Sequence, residues 1–252
     1  MGGIMKRIAS ITISIICALA LTATEMQAQV NVQLGGGIGL LSPTSDLRGT
    51  TLEYYAGQNY GLSSGFAMGG KVRLGIVGFN LVGEINYASL SNDGNSEPGQ
   101  GRVELSQKVL TFRAGPEFQL SLPAIPLTPY VGASVALHRF SGETTFQGVA
   151  KVPSATFSVE TASRFGVGVN GGVVIKLGPS LSLDLGLGYN LMNVAGKTWK
   201  DVNPSQEQRL DSYLALNDDK DPLYRAGDDK HFINNDRSIS SIQAMALIMF
   251  GL

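Results

Sequence analysis

The sequence has little charge and almost no cysteine. Asp, Glu, Lys and Arg make up 15% of the 252 residues, against about 25% in soluble domains, and the formal net charge is −1. A chain this close to neutral lacks the basic surface of a nucleic-acid-binding protein. The single cysteine, Cys17, excludes a disulfide scaffold. Hydrophobic residues make up 43% of the chain, which excludes disorder as a description of the whole.

Only the first segment contains a long apolar run, and it has the layout of a signal peptide. Two basic residues precede an apolar stretch over 8–23, and small residues follow around Ala28. The stretch is shorter and more interrupted than the roughly 18 apolar residues of a transmembrane helix. We therefore predict that residues 1–28 are a cleaved signal peptide. The mature chain over 29–252 would then contain no cysteine and no thiol chemistry.

After this segment the pattern has a period of two, which is typical of β-strands. Large apolar residues alternate with Gly, Ser, Asn or charged residues, most clearly over 181–191. No later stretch of about 18 apolar residues could form a membrane helix. The alternation predicts eight strands, at 30–40, 66–76, 79–90, 105–120, 129–140, 164–177, 181–191 and 239–252.

The connections between these strands alternate in length. Those over 42–64, 91–104, 141–163 and 193–237 are long or polar, and those near 77–78, 123–126 and 178–180 are tight. Long loops at one end and short turns at the other, with an even strand number, are typical of an outer-membrane barrel. The predicted fold is therefore all-β: an eight-stranded antiparallel up-and-down transmembrane β-barrel after an N-terminal signal peptide. Both ends of the mature chain would lie on the periplasmic, short-turn side.

The charged residues within the strands indicate which face lines the interior. Seven of them take the positions opposite to the large apolar side chains: Lys71, Arg73, Glu84, Arg113, Glu117, Lys176 and Asp184. A basic residue facing lipid near the bilayer midplane costs about 2–4 kcal/mol, and an acidic one less. We therefore predict a lumenal charge network of these seven residues, in an interior that side chains can fill. The competing interpretation is a soluble sheet with scattered, solvated charges.

Aromatic residues lie near the ends of several predicted strands. They are Phe66, Phe79, Tyr87, Phe112, Phe118, Tyr130, Phe140, Phe165 and Tyr189. We expect them in the interfacial girdles that flank the apolar band of a membrane barrel.

Several short segments carry a family resemblance. They are the glycine-rich opening strand at 34–39, the segments 112–118, 129–133 and 186–190, and the apolar final strand. On these segments the chain resembles the small outer-membrane β-barrel proteins, the group that includes the OmpA transmembrane domain, OmpX and the opacity proteins. The resemblance implies contact with outer-membrane lipid and insertion by the barrel assembly machinery. One departure is that Gly251 and Leu252 follow Phe250, whereas the family's assembly signal usually ends on an aromatic residue.

The sequence offers few residues suited to catalysis. The G-x-G-x-x-G segment at 166–171 lies within an alternating strand rather than before a helix, so we expect no nucleotide there. His138 has Ser134 and Ser141 nearby, and either Glu143 or Glu160 could supply an acid. These are the residue types of the acyl-chain chemistry that some barrels of the resembled family perform. Ser134 and His138 share the lumenal side, however, away from lipid. We predict no catalytic residue, no cofactor and no metal ligand.

The 193–237 connection is long, polar and net acidic. Its segment 217–221 is rich in the carboxylates that calcium favours, but lacks the glycine and terminal glutamate of an EF-hand loop. A loop of this length is uncommon without a function, and its aromatic residues indicate packing over the barrel mouth or a contact surface. We also expect a short helix over 206–216.

These observations predict a monomeric outer-membrane protein with a structural or surface-interaction role in the envelope of a Gram-negative-type bacterium. An extracellular ligand or partner would bind through the 193–237 loop, and no nucleic acid is expected. The alternative is a narrow channel for small or apolar solutes, although eight strands enclose an interior that side chains can fill. An enzyme that modifies outer-membrane lipid is the third class.

Overall fold

Eight antiparallel strands pair in sequence order and close into a barrel, with the first hydrogen-bonded to the last. The computed structural model describes residues 31–76, 79–97, 100–120, 125–200, 213–220 and 235–252. The strands are β1 (Asn31–Ser45), β2 (Gly65–Ile76), β3 (Phe79–Glu97), β4 (Gln100–Gln119), β5 (Leu127–Gln147), β6 (Ala155–Lys176), β7 (Leu181–Ala195) and β8 (Ile239–Gly251). The predicted fold class is confirmed, whereas the predicted signal peptide at 1–28 lies outside the described residues.

The connections distinguish the two ends of the barrel. Short connections join β2 to β3, β4 to β5 and β6 to β7 at the end where β1 begins and β8 finishes, which we call the turn end. The opposite end, the loop end, carries the connections that follow β1, β3, β5 and β7. The first of these contains a short helix, α1 (Thr51–Tyr55). No helix within the described ranges is long and apolar enough to span a membrane.

The outward side chains of the turn-end half form an apolar band. On β5 these side chains run from Leu127 to Leu137, and Val131 and Val135 among them are 64% and 67% exposed. The stretch matches the roughly 9–11 residues that a tilted strand needs to cross the hydrocarbon core. An outward apolar band around a polar interior is the arrangement of a membrane barrel, so the competing interpretation of a soluble sheet is wrong.

Beyond this band the strands continue toward the loop end with the pattern inverted. On β4 the inward side chains there include Val103 and Leu105, which are buried, whereas Arg102 points outward. The segments 91–104 and 141–163, which the pattern predicts as loops, therefore lie mostly within strands. Within the apolar band the large apolar side chains point outward, and beyond it they point inward. An alternation pattern that assumes one apolar face therefore stops matching the strand where the band ends.

A hydrophobic core fills the loop-end half of the barrel. The segment around α1 folds into the opening, where Leu47 is buried and the ring of Tyr54 packs against Tyr213 from the β7–β8 connection. Thr50 and Glu53 cap α1 reciprocally, and the hydrogen bond from the Thr50 backbone amide lowers the pKa of the Glu53 carboxyl. The first and last connections therefore pack into the opening as part of the fold.

Candidate functional site

Ion pairs cross the barrel interior at the level of the apolar band. The strand register places Lys71 on β2 opposite Glu84 on β3, and Glu84 opposite Arg113 on β4. The three side chains therefore alternate in sign along one row, which favours the pairing of their strands. Arg113 Nη2 lies 2.5 Å from Glu84 Oε2, and Lys71 Nζ lies 3.6 Å from Glu84 Oε1.

Two more carboxylates and a second arginine complete this group. Arg73 donates from Nε to Glu117 Oε1 at 2.6 Å and from Nη2 to Asp184 Oδ2 at 2.8 Å. Lys71 Nζ lies between the same carboxylates, 2.9 Å from Asp184 Oδ2 and 3.1 Å from Glu117 Oε2. Glu117 and Asp184 are almost completely buried. Buried charges are tolerated when they are paired and hydrogen-bonded, and here each has several partners.

The structure thus brings together six of the seven charges expected in the lumen, which we call the lumenal cluster: Lys71, Arg73, Glu84, Arg113, Glu117 and Asp184. Its three cations and three carboxylates balance. Lys176 lies apart from it, which corrects the expectation for this residue. It is the last residue of β6, exposed at the turn end, and forms no ion pair with any described residue. Alternation indicates whether a side chain points inward or outward, but not where along the barrel axis it lies.

Tyr130 adds a phenol that the sequence pattern assigns to a girdle. Its hydroxyl donates to Asp184 Oδ1 at 2.7 Å, and Lys71 Nζ lies 4.6 Å from its ring centroid. The side chain is buried in the interior. Glycines provide the space, because a Cβ at Gly172 or Gly186 would lie 2.6 Å from the Tyr130 hydroxyl oxygen. Tyr130 is separated by an even number of residues from the lumen-facing Ser134 and His138 of β5, and this spacing predicts that its side chain points inward.

Little space remains beside the lumenal cluster. Arg113 Nη1 donates to Asn190 Oδ1 at 3.1 Å, and its Nη2 donates to Gln243 Oε1 at 3.2 Å. A cavity of about 30 Å³ lies between these side chains and Lys71 and Glu84. A cavity of this size has room for a few water molecules among the polar side chains. Side chains therefore occupy most of the lumen at this level.

A second buried ion pair fastens the β7–β8 connection to the barrel wall. Arg164 on β6 binds Asp218 through two hydrogen bonds of 2.7 Å, from Nε to Oδ2 and from Nη2 to Oδ1. Asn193 Nδ2 and the Thr198 backbone amide also donate to the Asp218 carboxylate. Asp218 is fully buried. The connection is thus anchored inside the loop end at this point, by a residue pair that alternation could not predict.

The same contacts bear on the acidic segment considered for calcium. The Asp218 carboxylate is already surrounded by donors, and Asn217 is buried beside it. The described parts of the chain contain no group of three or more His, Cys, Asp or Glu side chains that could hold a metal ion. Asp221, and most of the helix expected over 206–216, fall outside the described residues.

His138 forms no hydrogen bond with Ser134, Ser141, Glu143 or Glu160, the residues considered for acyl-transfer chemistry. Its Nδ1 shares a hydrogen bond of 2.9 Å with Thr111 Oγ1, and its buried ring lies beside Phe140. Phe140 is itself buried rather than in a girdle. Ser134 Oγ has no hydrogen-bond partner among the described residues, and Ser141 lies on the outward face of β5. A nucleophile and its base must be within hydrogen-bond reach, and these residues are not.

A closed antiparallel barrel with an outward apolar band and an ion-paired interior defines a transmembrane β-barrel protein. The sequence matches the outer membrane protein beta-barrel domain over residues 13–208. The chain therefore belongs to this family and is an outer-membrane protein, as the resemblance in its sequence implies. Comparison with curated proteins gives no significant match.

The chain is also similar to two solved bacterial structures at low sequence identity. Neisserial surface protein A is 15% identical, with a TM-score of 0.47, and the match covers 88% of this chain and 96% of that one. The outer membrane protein OprG from Pseudomonas aeruginosa is 11% identical, with a TM-score of 0.45, and the match covers 89% of this chain and 97% of that one. Similarity at this level carries no information about ligand or activity.

Proposed function

We propose that this protein is a closed, monomeric outer-membrane barrel with a structural or surface-interaction role, and that it neither conducts solutes nor acts as an enzyme. In this proposal residues 1–28 are a cleaved signal peptide. The turn end, with both chain ends, faces the periplasm, and the loop end faces the outside of the cell.

The observation that carries the proposal is an interior occupied by side chains at two levels. In the membrane half, the lumenal cluster joins side chains from β2, β3, β4 and β7 across the lumen. In the loop-end half, a hydrophobic core takes its place, with residues from the first and last connections in it. A conducting pore would need an open polar path through both levels.

The surface role is supported by the outer wall of the loop-end half. Its outward residues are polar, as on β3, where Ser91, Asp93 and Asn95 are exposed. Strand pairing continues up to Glu97 and Gln100, so this wall is a rigid sheet standing beyond the apolar band. Side chains on rigid elements are held more precisely than those on free loops, which suits a surface for contact with other molecules.

Single-channel recording tests the closed interior. We expect the purified full-length protein, reconstituted in planar bilayers, to give no steady open current under conditions where a general porin gives one. Arg113→Ala enlarges the cavity beside the lumenal cluster, but the loop-end core should still block conduction. A steady wild-type current that changes in the Arg113→Ala variant would refute the proposal and favour the channel.

Cysteine labelling in intact cells tests the orientation. Because the only cysteine lies in the proposed signal peptide, a single introduced cysteine is the only thiol in the mature chain. A membrane-impermeant maleimide should label Ser158→Cys, at the loop end, and spare the matched turn-end variant Ser180→Cys, since both residues are exposed. The mass of the wild-type protein should show the loss of residues 1–28. The reverse labelling pattern would refute the orientation.

A further inference from the structure

The outward face of β3 to β6 shows where the apolar band ends. Strand register aligns Ile85, Phe112, Leu137 and Phe165 in one outward row that crosses these four strands. Ile85, Phe112 and Phe165 in this row are 47%, 47% and 61% exposed. A row of large apolar side chains on the outside of a membrane barrel belongs in the hydrocarbon region.

The next two rows toward the loop end carry two cations. Arg139 on β5 is opposite Leu110, and Lys108 on β4 is opposite Ser141, so the two basic residues are diagonal neighbours. Diagonal neighbours on one face of an antiparallel pair are about 7–8 Å apart at the backbone, and long side chains at these positions can reach each other. Both are exposed. We call Lys108 and Arg139 the basic pair.

Hydroxyl groups surround the basic pair. Lys108 is flanked by Ser89 on β3 and Ser141 on β5. Arg139 is flanked on its other side by Ser163 on β6. These positions lie on the same outward face, so cationic donors and hydroxyl donors are concentrated at the edge of the apolar band.

The basic pair also has no carboxylate partner among the described residues, unlike two other exposed cations of the loop-end half, Arg102 and Lys200. Arg102, further along β4, lies 3.1 Å from Asp93 and 3.2 Å from Glu104. Lys200 is likewise paired, with Glu160. Neither member of the basic pair forms an ion pair with a described residue, although Glu143 is placed one row further toward the loop end.

We infer that the basic pair binds the phosphate group of a lipid in the outer leaflet. A lipid inserted beside this face would place its acyl chains along the apolar rows and its headgroup at the level of Lys108 and Arg139. Arg binds phosphate through two parallel N–H donors and Lys adds a point charge, while the flanking hydroxyls complete the donor set. The inference rests on the proposed orientation, since the loop end must lie in the outer leaflet.

Lipid binding to the purified full-length protein tests this site. The probe is bisphosphorylated lipid A, titrated into the protein in a neutral detergent and followed by native mass spectrometry, with dephosphorylated lipid A as the matched lipid. If each charge contributes about 1 kcal/mol, we expect roughly five-fold weaker binding for Lys108→Gln or Arg139→Gln and roughly 30-fold for the double variant. Arg102→Gln removes the same charge from the same strand and should leave binding unchanged.

The outcomes separate this inference from the proposed function. Equal binding by the wild type and the double variant, or equal binding of the two lipids, would overturn the phosphate site. Competition by inorganic phosphate at millimolar concentration would show a free-anion site and also overturn it. The cysteine labelling decides the orientation independently. If the loop end is outside but the double variant binds normally, only the lipid site fails; if the turn end is outside, the proposed orientation fails.

Discussion

Asp184→Asn isolates the contribution of the lumenal cluster to stability. The substitution keeps the shape of the side chain and removes its charge. Asp184 is fully buried and accepts hydrogen bonds from Lys71, Arg73 and Tyr130. Without it, three cations remain in the interior with two carboxylates, so one buried positive charge has no counterpart.

The structure sets the size of the expected effect. Removing one partner from a buried ion pair typically costs about 3–5 kcal/mol, because the remaining charge stays desolvated. The loss of two charge-assisted hydrogen bonds, at about 1.5–3 kcal/mol each, gives a similar figure. We therefore expect the free energy of unfolding of Asp184→Asn to fall by about 3–5 kcal/mol. Removing the excess cation as well, in Lys71→Met/Asp184→Asn, should restore part of this loss.

Urea unfolding in lipid vesicles measures the effect, with the heat-modifiable gel mobility of folded barrels as the readout. Lys176→Gln is the matched control, since it also removes a charge of lumenal parity but from an exposed residue outside the cluster. It should change the free energy of unfolding by no more than about 0.5 kcal/mol. If Asp184→Asn and Lys176→Gln are equally mild, the ion pairs do not hold the interior together.

Two further substitutions test the loop end and the apolar band. Arg164→Gln leaves the buried Asp218 carboxylate without its main partner. It should therefore expose the β7–β8 connection to limited proteolysis while the barrel stays folded; an unchanged cleavage rate would contradict the anchor. Leu187→Arg places a charge on the exposed apolar surface and should lower the free energy of unfolding in vesicles by about 2–4 kcal/mol. Ser158→Arg, on the polar outward wall, should be nearly neutral, and equal costs would refute the assigned lipid-facing surface.

Much of the membrane half follows from the sequence. Alternating apolar and small or charged residues predict the strands, and the cost of charge in lipid predicts that Glu84, Arg113 and Asp184 point inward. The alternating sign of the cross-strand neighbours is a consequence of register, which alternation alone does not provide. Lys176 shows what alternation cannot predict. Its place in the alternation is that of a lumen-facing residue, but it lies at the turn end of β6, beyond the lumenal cluster.

A single alternation pattern does not predict the loop-end half, and the reason is physical. Lipid outside requires apolar side chains to face outward, whereas water outside requires the reverse, so one strand carries two opposite patterns in succession. On β4 the change falls between Val109, which is buried, and Phe112, which is exposed. If one apolar face is assumed along the whole strand, the loop-end part of the strand resembles a polar loop. Looking for a reversal of parity within one strand would have found the extension of β3 to β6.

The two halves are also stabilised by different forces. In the membrane half the outward side chains gain no hydrophobic stabilisation by packing against each other instead of against lipid, because the lipid is as apolar as they are. Specific ion pairs such as Arg73 with Glu117 therefore have a larger share in defining its structure. In the loop-end half, water surrounds the wall, and burying residues such as Tyr54 and Phe146 stabilises the fold by roughly 25 cal/mol per Å² of apolar surface. The first and last connections supply part of that buried surface, so they are components of the core. The exposed polar residues of the outer wall, such as Asp93 and Asn95, do not contribute to that core, so they are free to serve the proposed surface role.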